Sequence, residues 1–122
     1  MVRNFEEQTH ELTDYELKTI LPLISKGLDY RKGDHMAITS FQAMRILKSK
    51  WPEIKISGPR WRKIINHIRV NSLIPGLVST SKGYYIATSK SELKNYMESL
   101  RERINSITMV YDSMEYQLKT FY

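Results

Sequence analysis

Apolar residues recur at helical spacing in four stretches of the chain and at strand spacing in one pair of short runs. Leu17, Ile20, Leu21, Ile24 and Leu28 give a first helix its inward face. Thr13 and Glu16 make a capping box at its start, with Leu12 and Leu17 as the hydrophobic staple around it. Pro22 removes a backbone donor inside this pattern, so a kink or break is expected there. The helix should fade over residues 27–30, before the turn-like Lys32-Gly33-Asp34. Residues 36–39 suit a short strand leading into a second helix. Thr39 and Gln42 form its capping box, Phe41, Met44, Ile46 and Leu47 supply its apolar contacts, and Pro52 stops it after Trp51.

Residues 52–56 then act as a turn, and Ser57 caps a third helix with Pro59 in its first turn. At 100° per residue, Trp61, Ile64, Ile65 and Ile68 fall within one third of the circumference and face the core. Pro59, Lys63, Asn66 and Val70 lie opposite, with Arg62 and His67 on the flanks and Arg60 and Arg69 nearer the border. The Pro75-Gly76 pair is expected to break this helix. Two β-rich runs follow, residues 77–79 and 84–87, separated by Thr80-Ser81-Lys82-Gly83, a tight hairpin in which Gly83 takes a positive φ. Tyr84 and Tyr85 alternate in direction, so one packs on the core and the other can reach solvent or a sugar-phosphate backbone, although a structural role for both is the commoner outcome for such a pair.

The last segment is a long helix capped by Ser89 and Glu92. Leu93, Met97, Leu100, Ile104, Ile107, Tyr111, Met114, Leu118 and Phe121 follow at spacings alternating four and three. That pattern places Met97, Ile104, Tyr111 and Leu118 at a positions and the others at d positions of a coiled coil. A seam of about 28 residues, about 42 Å long, exceeds what a domain of this size would cover, so self-association, with a homodimer as the expected state, follows. In a parallel pair, Tyr96 would face Arg101, Arg103 would face Thr108, and Val110 would face Glu115. None of these is an opposite-charge pair, so an antiparallel pair or a higher assembly stays open.

Charge sharpens this picture. The 122 residues carry a net +6, and the excess is concentrated in one place. Residues 31–90 hold twelve Lys/Arg against two Asp/Glu, whereas residues 1–30 hold three against six. Within the third helix Arg60, Arg62, Lys63 and Arg69 stand with no acid among them. A basic excess centred on one helix and a hairpin points to a polyanionic partner. Asn bonds adenine bidentately and Lys reaches guanine acceptors, which makes Lys63, Asn66 and His67 the candidate base readers. Arg60, Arg62, Arg69 and Lys82 are the candidate phosphate contacts. Lys82, Gly83, Tyr84 and Tyr85 form the candidate wing.

The run Arg62-Lys63-Ile64-Ile65-Asn66-His67-Ile68-Arg69, then Ser81-Lys82-Gly83-Tyr84-Tyr85-Ile86-Ala87, then a Glu-bearing long helix, resembles small winged helix-turn-helix proteins of bacteria and bacteriophages. The resemblance spans about residues 12–118 and lies in motif and element order. It implies a winged-helix fold and DNA binding, in roles that range from regulator to replication accessory. The strand at residues 77–79 lacks a cysteine that several such proteins carry, a difference of packing.

Other chemistry finds little footing. The chain has no cysteine, which removes disulfides and thiolate metal sites and fits a cytoplasmic protein. His10, His35 and His67 are far apart, and no metal-binding spacing, phosphate loop or nucleophile elbow occurs. No enzyme activity, cofactor, metal or membrane span is expected. The expected fold is mainly α with a small β-hairpin. Residues 1–11 form a loose leader, 12–90 a winged helix-turn-helix domain, and 91–122 a C-terminal coiled-coil helix. The function read from this sequence is sequence-specific binding of double-stranded DNA by a homodimer, in transcription regulation or replication. The alternative is a protein-protein interaction adaptor that uses the same parts without reading DNA.

Overall fold

A computed structural model of the chain describes residues 10–122. The expected leader therefore lies, for residues 1–9, outside the described part. The chain divides into two compact units, Met1–Thr88 and Ser89–Tyr122.

In the first unit a π-helical turn, Glu16–Ile20, runs directly into helix α1 (Leu21–Leu28). The capping box is formed: the Thr13 amide donates to Glu16 Oε1 at 2.8 Å, and the Glu16 amide to Thr13 Oγ1 at 3.1 Å. Pro22 does not break the helix, which runs on to Leu28. It occupies the first turn of α1, and the widened turn ahead of it absorbs the missing donor, with the Leu21 amide bonding the Glu16 carbonyl. Ile20, Ile24 and Leu28 are buried as expected.

The expected strand at residues 36–39 shrinks to one residue. Asp34–Met36 is a 3-10 turn, and only Ile38 pairs, antiparallel to Tyr84. Thr39 must already serve as the cap of the next helix, which leaves no room for more. Helix α2 (Ser40–Lys50) carries the complete Thr39–Gln42 capping box. Its inward stripe is Ala43, Met44 and Leu47, not Phe41 or Ile46. Both of those are exposed, because each lies roughly 100° around the helix from the centre of that stripe. Phe41 instead lies under the Arg45 guanidinium, 5.7 Å from its ring centroid.

Helix α3 (Gly58–Val70) starts where Ser57 Oγ accepts the Arg60 amide at 3.3 Å. Trp61, Ile64, Ile65 and Ile68 are buried. Pro59 is buried too, contrary to its place on the helical wheel. The segment leading into α3 is itself buried at Ile54 and Ile56, so the periodicity of an isolated helix does not govern its first turn. The helix also ends before Pro75-Gly76. Ser72 takes a φ of 54°, its amide bonds the Arg69 carbonyl, and the Leu73 amide bonds the Ile68 carbonyl, which together make a Schellman cap.

Strands β1 (Leu77–Thr80) and β2 (Gly83–Ile86) form a two-stranded antiparallel sheet, with Leu77 opposite Ile86 and Thr80 opposite Gly83. The turn is only residues 81–82. The other edge of β2 is bound to the segment between α1 and α2: the Gly33 amide donates to the Ile86 carbonyl at 2.9 Å, and Ile38 and Tyr84 exchange two bonds of 3.0 and 2.8 Å. Gly83 has a φ of 120°, and a Cβ there would collide with the Ile38 carbonyl. Glycine is required by that close approach as much as by the turn.

The second unit is one helix, α4 (Lys90–Phe121), of 32 residues and about 48 Å. Ser89 Oγ caps it by accepting the Glu92 amide at 3.1 Å. The molecule is thus mainly helical, with a small antiparallel sheet and a long C-terminal helix. None of its described helices is long and apolar enough to cross a membrane.

Candidate nucleic-acid interface

The apolar stripe of α3 is locked into the core, with Trp61, Ile64 and Ile68 each no more than 1% exposed. That fixes which residues the helix can offer to a partner. Asn66 and Arg62 are exposed, and Lys63, His67 and Arg69 are half-buried. Beyond them Val70 is 72% exposed. Asn66 carries an amide able to donate and accept at once, while the neighbouring cations are donors only. His67 is held along the helix, its Nδ1 lying 3.4 Å from Asn71 Nδ2, while Asn71 also donates to the His67 carbonyl at 2.9 Å.

Arg60 is not available for a phosphate. Its Nε donates to Glu16 Oε2 at 2.8 Å, and its Nη2 forms an ion pair with Glu16 Oε1. Its guanidinium also donates to the His10 carbonyl at 2.9 Å and to the Glu11 carbonyl at 3.0 Å. The fork of Arg60 ties the start of the first helix to α3, and the end of the expected loose leader is held by the same bonds. The Arg60 guanidinium beside Glu16 holds that carboxyl below its ordinary range, against the opposing effect of burial.

Lys82 does sit in the hairpin turn, but its ammonium is bonded to Asp34 Oδ2 at 2.8 Å. Both side chains are more than half exposed, so water screens the pair and a phosphate can displace it at little cost. The pair moves Asp34 below, and Lys82 above, their ordinary values. The tyrosines of the wing are packing residues. Tyr85 is buried, and Tyr84 is half-buried, edge-on to Trp61 at 6.2 Å between ring centroids. That is the structural role which the sequence leaves open for both, with the other edge of β2 held by the segment between α1 and α2.

Two cations were not singled out from the sequence. Lys48 and Lys55 line one groove with Ser57 at the start of α3. Both are exposed. Helix N-termini favour anions, so cations beside this one add to the same preference. Their signal in the sequence is weak, since each is a single lysine in a helix end or turn.

Along α4 the seam residues are open. Met97, Ile104, Ile107, Tyr111, Met114 and Leu118 are each between 49% and 70% exposed, and Leu100 is half-buried. Among the described residues no group of three or more His, Cys, Asp or Glu side chains is placed to hold a metal ion. No protein-family model matches the chain, and no curated protein or solved structure shows significant similarity to it.

Proposed function

We propose that the chain is a winged helix-turn-helix protein that binds double-stranded DNA in a sequence-specific way and dimerises through α4, as a regulator of transcription or a replication accessory. The carrying observation is the outer face of α3, where Arg62, Lys63, Asn66 and Arg69 stand together without an acid on a helix whose opposite face is immobilised in the core. Element order supports the same reading. Helix, one-residue strand, two helices and a hairpin follow in turn, and the one-residue strand at Ile38 pairs with the second hairpin strand. In this reading α3 is the second helix of a helix-turn-helix and the hairpin is a short wing.

In this reading Lys63 and Asn66 read base edges, with His67 beside them. Arg62, Arg69, Lys48 and Lys55 hold phosphate, and Lys82 exchanges Asp34 for a phosphate at the wing. Arg60 leaves the contact set and positions α3 instead. The exposed seam of α4 brings two such units together, and two-fold symmetry then calls for an inverted repeat in the DNA.

The alternative is an adaptor that docks a protein. It is favoured by one observation: the wing is short and its single cation is already paired. Selection of bound fragments from random duplexes at moderate salt separates the two. The DNA reading expects enrichment of one short sequence, repeated with inverted symmetry. Recovery of unenriched fragments would favour the adaptor.

A further inference from the structure

A cavity of about 510 Å3 opens into the first unit, between α1 and α2 and against α3. Its size is within the range of small-molecule sites. Leu23, Leu28, Ala43 and Leu47 supply apolar wall, and the chain's two tryptophans, Trp51 and Trp61, both line it. Every charged residue on the lining is a cation: Lys26, Arg31 and Lys50.

A second observation is independent of the shape. Trp61 is 1% exposed, yet its indole Nε1 has no hydrogen-bond partner among the described residues, and neither has the buried Nε of Arg31. Burying a donor without an acceptor costs about 1–3 kcal/mol, so such atoms are rare and call for an explanation. A third such atom, Ser25 Oγ, is on a residue outside the lining, but these two belong to lining residues and both are donors. The rest of the Arg31 guanidinium is fixed, donating to the Met36 carbonyl and the Tyr30 hydroxyl at 3.2 Å each and lying 5.0 Å from the Tyr30 ring centroid. Orphaned donors, a cationic lining and an apolar wall have one chemical complement.

We propose that this cavity binds a small organic anion, a carboxylate on an aromatic or aliphatic body. The body fills the space between Leu23, Ala43 and Leu47. The carboxylate accepts from Arg31 and lies in the field of Lys26 and Lys50. The site stands apart from the outer face of α3 and does not depend on the DNA reading.

The test uses the full chain and naphthalene-2-carboxylate, with the neutral naphthalene-2-carboxamide as its comparison. Both indole N–H signals should shift in a saturable titration followed by NMR, and the carboxylate should bind about tenfold or more tightly than the carboxamide, as expected for charge-assisted bonds. Lys26 and Lys50 are exposed, so Lys26→Gln with Lys50→Gln preserves the fold; it should bring the carboxylate down toward the carboxamide's affinity. Ala43→Phe fills the cavity and should abolish binding of both. Indole signals that stay unmoved up to millimolar carboxylate would overturn the proposal. So would equal affinity for the two probes, or carboxylate binding indifferent to the paired lysine substitutions.

Discussion

At the scale of single residues, Arg60 and Glu16 show how one cation of a basic helix can be given over to structure. Glu16 is 7% exposed and shares a spacing of four with the buried Ile20, Ile24 and Leu28, so it stands on the apolar stripe of its own helix. An ionised carboxylate in that place needs a partner, and the bidentate fork of Arg60 provides it. Glu16→Gln should lower unfolding free energy by about 2 kcal/mol at neutral pH, because it strands the guanidinium at a partly buried position. The native carboxyl is held below its ordinary value, so its contribution is present above the unfolded glutamate's value of about 4.3 and is lost as pH falls through the lower native one. Urea unfolding at pH 7 and pH 3 should show the parent and Glu16→Gln converging in acid. A constant difference between them would mean that the pair does not carry this pH dependence.

At the scale of elements, the caps and core faces were legible because local chemistry decides them. Thr39 with Gln42, Ser57 with Arg60 and Ser89 with Glu92 bond where their sequence spacing places them. The stripe Trp61, Ile64, Ile65 and Ile68 follows from helical periodicity alone. What was not legible depends on partners distant in sequence. Residues 31–38 and 84–86 pair across about fifty positions, Pro59 is buried against the helical-wheel expectation, and the cation of Lys82 is taken by Asp34. The acid at Glu16 was the one readable sign, since a charge on an apolar stripe asks where its partner is. Helix α4 is the opposite case, where the pattern in the sequence says more than one chain can express. Its seam is apolar at every a and d position from Leu93 to Phe121 and lies exposed along most of its length. Ile104→Asp with Ile107→Asp should turn a dimer into a monomer by sedimentation while the helix content falls only modestly. An unchanged mass would remove the seam from assembly.

At the scale of the whole molecule there are two unlike units: one presents a basic helix on a packed core, and the other is a long helix with an exposed apolar seam, which the proposal above assigns to a second copy. On that proposal, joining two weak DNA contacts through one dimer raises affinity by effective concentration, without new contacts. In the proposed reading, phosphate contacts from Arg62, Arg69, Lys48 and Lys55 make that affinity fall steeply with salt, whereas Lys63 and Asn66 carry the choice of sequence. The most direct measurement is therefore the affinity of the Lys63→Ala, Asn66→Ala variant for the selected duplex and for a scrambled one, each across a range of salt. The account predicts that preference for the selected duplex disappears, while residual, salt-sensitive binding to both survives in a protein of unchanged fold. A variant that still prefers the selected duplex as strongly as the parent would contradict the assignment of α3 as the reading helix.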